Sequence, residues 1–234
     1  MGKECARRSA VKRIYVVTEG QSETNFVKRV LSPYFLSCGK IFIPTTVLTK
    51  KDERNGKMHK GGMSNFAKAQ TTIKQDLAYT NSSDVFVTTM FDFYGLPTDT
   101  PGFAEAKKLS DPYKKVACLE QKILDYENLT NQAVFHPYIQ LHEFEALLFS
   151  DIDLLGDEYF EYDIQPLKDC IAQKKNPELI NDGSETAPSK RILDCIPDYD
   201  KASVGVSVLE KIGVEVLCNR CLHFAEWIDW IKSI

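Results

Sequence analysis

The sequence lacks the features that mark membrane, secreted and nucleotide-hydrolysing proteins. It has no uninterrupted run of 18 apolar residues, so we expect no membrane-spanning helix. The first residues, MGKECARRSAVKR, contain no apolar signal-peptide core, so we expect a cytoplasmic location. The phosphate-binding pattern GxxxxGK[ST] is absent, so any use of ATP would come from a partner protein. Internal repeats and low-complexity stretches are also missing.

Cysteine and net charge give weak signals. The seven cysteines are an odd number and are widely scattered, which is typical of reduced thiols in a cytoplasmic protein. Cys218 and Cys221 form a CxxC pair close to His223, but structural zinc needs four ligands and no second pair exists, so we favour buried core positions. The net charge of −4 provides no general attraction for nucleic acid, which would therefore need a local basic patch.

The chain alternates between strand-like and helix-like segments over its first two thirds. This order predicts an α/β fold with a mostly parallel four-stranded sheet flanked by helices. After residue 142 short helical segments follow, so we expect residues 1–155 to form the α/β core and residues 156–234 a helical region packed on it as one structural unit. The predicted strands are residues 13–18, 41–48, 84–91 and 133–141, and the predicted helices cover residues 22–35, 64–77 and 116–126.

Acidic residues stand where predicted strands end. Glu19 follows the first strand, Asp92 the third, and Glu143 and Glu145 the fourth. Ligands collect at the carboxyl ends of strands in open α/β sheets, and carboxylates brought together there raise each other's pKa values. A hard cation such as Mg²⁺ relieves that repulsion, so these residues are candidate metal ligands and catalytic residues, with His142 as a candidate base.

Ordinary structural roles compete with the hypothesis that these acids bind a metal. Glu23 lies at a helix N-terminus, where stabilisation of the helix dipole is enough to explain it, although it is also a candidate for a supporting role behind the metal ligands. For each strand-end acid alone the structural and functional explanations are evenly balanced. Three successive strand ends favour function, because buried acids are costly without a partner.

Two basic segments are candidate phosphate contacts. Residues 50–62 carry Lys50, Lys51, Arg54 and Lys57, and we expect this segment to be mobile and to contact a phosphate backbone, although a solvated surface loop explains it equally well. Residues 189–191, which are Ser189, Lys190 and Arg191, follow a proline at a predicted helix start, where phosphate binding and ordinary capping are both open.

Three sequence segments resemble those of a known family. VVTEGQSETNF, TTMFDFYGLP and IQLHEFEALLFSD, together with APSKRI and CLHFAEW, resemble the family known as domain of unknown function 4276, over nearly the whole chain. That family is similar to the Toprim fold, a Rossmann-like metal-binding domain of topoisomerases, primases and OLD-type nucleases. The resemblance implies that Glu19 is the first acid and that Asp92 begins the Asp-x-Asp motif. Tyr94 stands where the second acid of that motif is expected, so Glu143 or Glu145 would have to replace it.

The resemblance sets the functional expectation. It implies a nuclease dependent on Mg²⁺ or Mn²⁺ that acts on DNA or RNA, working with a separate ATPase in anti-phage defence, and it leaves a homo-oligomer open. A non-catalytic subunit that binds nucleic acid or the ATPase is the main rival. A phosphatase-type phosphoryl-transfer enzyme is the third reading. Metal-dependent turnover of long nucleic acid would separate the first from the second, and a preference for small phosphate esters would identify the third.

Overall fold

The computed structural model describes residues 11–47, 63–79, 83–127, 134–180, 183 and 186–234 of the chain. Five short strands form the sheet, in the order β2-β1-β3-β4, with β5 also paired to β3. The strands are β1 Lys12–Thr18, β2 Lys40–Thr46, β3 Val85–Asp92, β4 Phe135–His136 and β5 Ile139–Gln140.

Helices cover both faces of this sheet and make up the C-terminal part of the chain. They are α1 Gln21–Phe26, α2 Ser32–Leu36, α3 Phe66–Leu77, α4 Phe103–Ala106, α5 Pro112–Tyr126, α6 Asp153–Glu158, α7 Gln165–Lys174, α8 Pro188–Cys195, α9 Val206–Ile212, α10 Val214–Arg220 and α11 Leu222–Ser233. Within the described ranges, no helix is long and apolar enough to cross a membrane.

All pairings between the described strands are parallel, which confirms the predicted α/β class. Thr18 pairs with Met90, and Asp92 at the end of β3 pairs with Gln140 of β5. The carboxyl ends of β1, β3 and β5 therefore lie at the same edge of the sheet. Strand β2, which contains Pro44, is an edge strand as predicted, because proline cannot donate to a second neighbour.

The predicted strand 133–141 is divided in two. Pro137 separates β4 from β5 and has no N–H to give to the ladder. The side chain of Thr89 bridges the gap, since its Oγ1 accepts from the Tyr138 N–H at 2.9 Å and donates to the Tyr138 carbonyl at 2.8 Å. The sheet thus continues past the proline through a side chain.

The helix after β1 accommodates a proline instead of ending at it. Between α1 and α2 the residues Val27–Leu31 form a π-helical turn, and helical structure continues to Leu36. Pro33 lacks the N–H that an α-helix would bond to the carbonyl four residues earlier, and the wider turn before it is a known way to absorb that loss. The third predicted helix, residues 64–77, begins at Phe66 as α3, and the Asn65 side chain caps it by accepting from the Lys68 N–H.

Apolar residues form two clusters on opposite faces of the sheet. Alternate residues of β1 separate between them, with Val16 in one and Val17 in the other. The cluster containing Val16 also contains Phe26 and the C-terminal Trp227, so the last helices complete the core on that face. The other cluster is covered by α3 and α5.

Candidate active site

The first strand delivers a carboxylate to the sheet edge. Glu19 follows directly after β1, and its carboxylate accepts a hydrogen bond from the backbone N–H of Asp92 at 3.3 Å. The backbone of Gly95 packs against the same carboxylate so closely that a Cβ at this position would overlap it. The end of β1 and the loop after β3 are therefore fitted together through Glu19, and the loop needs glycine there.

Three more carboxylates surround the amino group of Lys201. The distances from Lys201 Nζ are 3.1 Å to Glu145 Oε2, 3.4 Å to Asp92 Oδ2 and 3.5 Å to Glu23 Oε1. Asp92 ends β3, Glu145 belongs to a 3₁₀ helix at Phe144–Ser150, and Glu23 belongs to α1. We call these groups, with Glu19, the acidic cluster: Glu19, Glu23, Asp92 and Glu145 around Lys201.

Glu23 is a member of this cluster, so its contacts go beyond the helix dipole and agree with the supporting position that was the alternative for it. Its side chain is 5% exposed and it is in contact with Lys201. A residue one turn into a helix points back toward the helix start, so Glu23 lies over the Glu19–Gly20 turn. Its Oε2 would be 3.2 Å from a Cβ on Gly20, so it is packed against that turn.

The cluster holds more negative charge than its lysine can balance. Burial is the main cause that raises the pKa of Asp92 well above its usual range, with Glu23, Glu19 and Glu145 adding to it and Lys201 opposing it. Burial also raises the pKa of Glu145 and of Glu19, in the latter case with help from Glu23. For Lys201 burial opposes the charge, but Asp92, Glu145 and Glu23 outweigh it and raise the pKa of the ammonium group. The lysine is therefore charged, and its acids compete for it.

Sequence reasoning missed Lys201. It begins a π-helical turn at Lys201–Gly205, far along the chain from the acids it contacts. Asp200 caps that turn by accepting from the N–H groups of Ala202 and Ser203, both at 3.0 Å. Asn25 of α1 donates to the Ala202 carbonyl at 3.0 Å, which fixes the turn against the acid-bearing helix. No local pattern in the sequence distinguishes this lysine from those on the surface.

The structure separates the two acids that follow β5. Glu145 points into the acidic cluster, whereas Glu143 Oε2 accepts from the backbone N–H of Ser189 at 3.0 Å. Glu143 thereby caps α8, so this geometry does not favour it as a metal ligand. A carboxylate at the first turn of α8 also argues against a phosphate at the same amide, and so favours capping over phosphate binding, the two alternatives for Ser189, Lys190 and Arg191. Arg191 Nε donates to the Thr186 carbonyl at 2.8 Å.

His142 and Tyr94 lie beside the cluster and not in its ion pairs. His142 has a positive φ of 62°, which is rare for a residue with a side chain, and its carbonyl accepts from the Tyr94 N–H at 3.0 Å. The two rings are 5.5 Å apart. Tyr94, at the expected position of the second motif acid, is 42% exposed, and the acids that join Asp92 are Glu145 and Glu23.

The remaining predictions concern the basic segment and the cysteine pair. Residues 50–62, with Lys50, Lys51, Arg54 and Lys57, lie outside the described residues, so their mobility and phosphate contacts stay predictions. Cys221 is buried with its Sγ 3.4 Å from Ser150 Oγ, and Cys218 packs against the same core.

The acidic cluster can be compared with the needs of a divalent cation. Within the described ranges, no group of three or more His, Cys, Asp or Glu residues has the arrangement of a formed metal site. The donors are nonetheless all carboxylate oxygens, the type that Mg²⁺ and Mn²⁺ prefer. Asp92 Oδ1 is also buried, and it has no hydrogen-bond partner among the described residues. The residues therefore fit a hard cation in chemistry and charge, in a cluster that Lys201 now organises.

Comparison with known proteins gives one finding. A family model described as "Domain of unknown function (DUF4276)" matches residues 18–232. No curated protein matched the chain, and no solved structure did.

Proposed function

We propose that this chain, which belongs to the DUF4276 family, is a divalent-metal-dependent phosphodiesterase that cleaves nucleic acid. The observation that carries the proposal is the acidic cluster at the carboxyl edge of a parallel sheet, in which three carboxylates from separate segments contact one lysine and a fourth, that of Glu19, is bonded to the Asp92 N–H. Ligand sites of open α/β sheets lie at this edge. An excess of buried carboxylates is expected where a cation and a phosphate are to be bound together.

Each member of the cluster has a role that follows from its position. Asp92 and Glu145 would hold Mg²⁺ or Mn²⁺, with Glu23 behind them. The bound ion would polarise a phosphoryl oxygen and lower the pKa of an attacking water. Glu19, held by the Asp92 N–H and packed on Gly95, has a raised pKa and is placed to take or give a proton. Lys201 keeps the carboxylates together by balancing part of their charge.

The finer parts of the proposal rest on the resemblance. Mg²⁺ as the preferred ion, the relation to Toprim nucleases, a separate ATPase partner and a setting in anti-phage defence are carried over from it. The choice between DNA and RNA is left to experiment, as is the oligomeric state.

A regulatory role is the second candidate, and the ion pairs of Lys201 favour it. An ammonium group already contacts three of the four acids, which would suit a family member that binds nucleic acid or an ATPase without cutting. A phosphatase acting on small phosphate esters would use the same edge and is the third candidate.

A cleavage assay on single- and double-stranded DNA and RNA tests the proposal. We expect weak Mn²⁺- or Mg²⁺-dependent cleavage by the wild type, increased by an ATPase partner and lost in Glu19→Gln, Asp92→Asn and Glu145→Gln. Glu143→Gln is the matched control, because Glu143 is two residues from Glu145 but caps α8 instead. Its activity should survive.

Three results would redirect the proposal. Cleavage that persists in chelator, or in Glu145→Gln as fully as in Glu143→Gln, would rule out the metal mechanism. Binding of nucleic acid without cleavage, even with the partner, would support the regulatory role. Faster turnover of small phosphate esters than of polymers would support the phosphatase.

A further inference from the structure

Aromatic rings line a cleft next to the acidic cluster. Phe93 and Tyr94 follow Asp92 directly, and their ring centroids are 5.8 Å apart. The ring of His142 also neighbours Tyr94, with its centroid 5.5 Å away and its plane tilted by 35°. The series of rings begins one residue after a cluster carboxylate, and within it His142 is 6% exposed, so Tyr94 presents the accessible ring.

These rings line two adjoining hollows. One has a volume of about 280 Å³ and is bounded by Pro112 and His142, and the other has about 240 Å³ and is bounded by Leu96 and Phe103. Phe93, Tyr94 and Lys115 line both. The first approaches the lower end of ligand-pocket sizes, which is roughly 300 Å³.

Tyr94 combines exposure with a fixed position. Its side chain is 42% exposed, although it lies only two residues after the end of β3, a strand that is buried over nearly its whole length. Its backbone N–H is bonded to the carbonyl of His142, a residue in the left-handed region. A non-glycine residue held in that region next to a candidate site is a recognised sign of a geometry maintained for function.

We propose that Phe93, Tyr94 and His142 form a nucleobase-stacking subsite, which holds the base next to the phosphate that the acidic cluster receives. Every nucleobase has a π-face, and stacking on aromatic side chains is the common sequence-tolerant way to hold a single strand. Lys115, on the rim of both hollows, would contact an adjacent phosphate or sugar. The subsite rests on the proposed function for its substrate class and names that class as an unpaired strand, because a base held in the protein cleft has left the stack of a duplex and its partner base.

The test measures binding, so it does not depend on cleavage. Fluorescence anisotropy with a labelled single-stranded oligothymidylate, and with the same strand made abasic, is recorded in chelator and again in Ca²⁺. We expect Tyr94→Ala to weaken binding of the oligothymidylate about tenfold or more, and Tyr94→Phe to stay within about twofold of wild type. The abasic strand should bind wild type and Tyr94→Ala equally. Phe160→Ala, which removes an 86% exposed ring elsewhere, is the matched control and should bind as wild type.

A second variant reports stacking directly. In Tyr94→Trp, a base stacked on the indole should quench its fluorescence above the background of the two native tryptophans, with oligothymidylate and not with the abasic strand. Thymidine monophosphate tests whether the subsite takes a free nucleotide as well as a strand, and quenching by the monophosphate alone would reassign the base to a small molecule.

The outcomes separate this inference from the proposed function. Equal affinity of wild type and Tyr94→Ala for the oligothymidylate overturns the subsite even if Asp92-dependent cleavage is found. Base-dependent binding without any cleavage supports the subsite and counts against the nuclease. Failure of the wild type to bind either strand in both conditions overturns the subsite.

Discussion

Two polar clusters in this protein are both built on buried glutamate carboxylates and differ in how the carboxylate oxygens are satisfied. In the first, which we call the Glu178 network, Glu178 Oε2 accepts from the His223 N–H and the Tyr113 hydroxyl, and Oε1 accepts from the Phe224 N–H, all at 3.0 Å. Asn176 then donates to the Tyr113 hydroxyl at 2.7 Å. In the acidic cluster, several carboxylates depend on one ammonium group, and no residue in the described part of the chain gives Asp92 Oδ1 a hydrogen bond.

The difference separates a structural network from a site. Glu178 is fully buried and caps α11, so its contacts serve the fold. A network with a donor for each oxygen rigidifies a core, whereas a partly satisfied one is costly to keep. The Glu178 network adds to the stability of the fold, whereas the acidic cluster lowers it. We infer that the acidic cluster is retained for binding.

The largest effect on stability should come from the Glu178 network. Glu178→Ala leaves two backbone N–H groups and a hydroxyl without their acceptor in the interior, and each buried group left so costs about 1–3 kcal/mol. We expect the free energy of unfolding to fall by about 3 kcal/mol or more, measured by urea titration. Glu178→Gln keeps one carbonyl acceptor and should lose less. A loss below about 1 kcal/mol in Glu178→Ala would remove the contrast between the clusters.

Lys201→Met should have the next largest effect, and the effect should be reversible. The substitution keeps much of the side-chain length but leaves the buried carboxylates without their ammonium group. We therefore expect the free energy of unfolding, measured without metal, to fall by about 2 kcal/mol. Mn²⁺ should restore more stability to this variant than it adds to wild type, because the ion replaces the missing charge. Urea titrations with and without MnCl₂ measure both values. A variant that Mn²⁺ does not stabilise would show that the cluster does not bind the ion.

The sequence predicted most of the sheet because β1, β2 and β3 are apolar or β-branched runs bounded by turns. It failed at residues 133–141, where Pro137 interrupts the ladder and the Thr89 side chain replaces the backbone, a non-local effect that no pattern within the segment reveals. The predicted helix 22–35 contains Pro33, and its pattern does not reveal the π-helical turn that accommodates this proline. Local patterns fix the element type, and tertiary contacts decide how a proline is accommodated.

The sequence indicated the acids of the site but not the lysine that balances their charge. Glu19, Asp92 and Glu145 could be predicted to lie close together because the carboxyl ends of parallel strands share one edge of the sheet. Lys201 lies 109 residues after Asp92, in a segment of short helices that no strand order positions. The sequence did not show which of Glu143 and Glu145 joins the site, since that depends on where α8 begins and on the amide it presents to Glu143.

His136 offers a pH test of the structural side of the molecule. It stacks on Trp230 at 4.7 Å, and burial, with a contribution from His223, lowers the pKa of His136 to about 4. The folded pKa lies below the unfolded value of about 6.5, so the stability from its neutral form is full above that value and is lost as the pH falls toward 4. We expect wild type to lose about 1–2 kcal/mol more than His136→Phe between pH 7 and pH 4, since the ring is partly exposed. Parallel pH profiles of the two proteins would refute the assignment.

The smallest change in stability should come from Asp92→Asn, although this variant should lose the most function. The raised pKa of Asp92 means that its charged form is disfavoured in the folded state, so at neutral pH the carboxylate lowers stability and does not support it. Removing one of several competing negative charges around Lys201 should therefore leave the free energy of unfolding within about 1 kcal/mol of wild type, or raise it. Saturating Mn²⁺ should stabilise wild type by about 1–3 kcal/mol and Asp92→Asn by much less. Urea titrations of both proteins, with and without MnCl₂, give all four values. A metal-free loss in Asp92→Asn as large as that of Glu178→Ala would place Asp92 among the structural acids, and the two clusters would then differ in geometry but not in purpose.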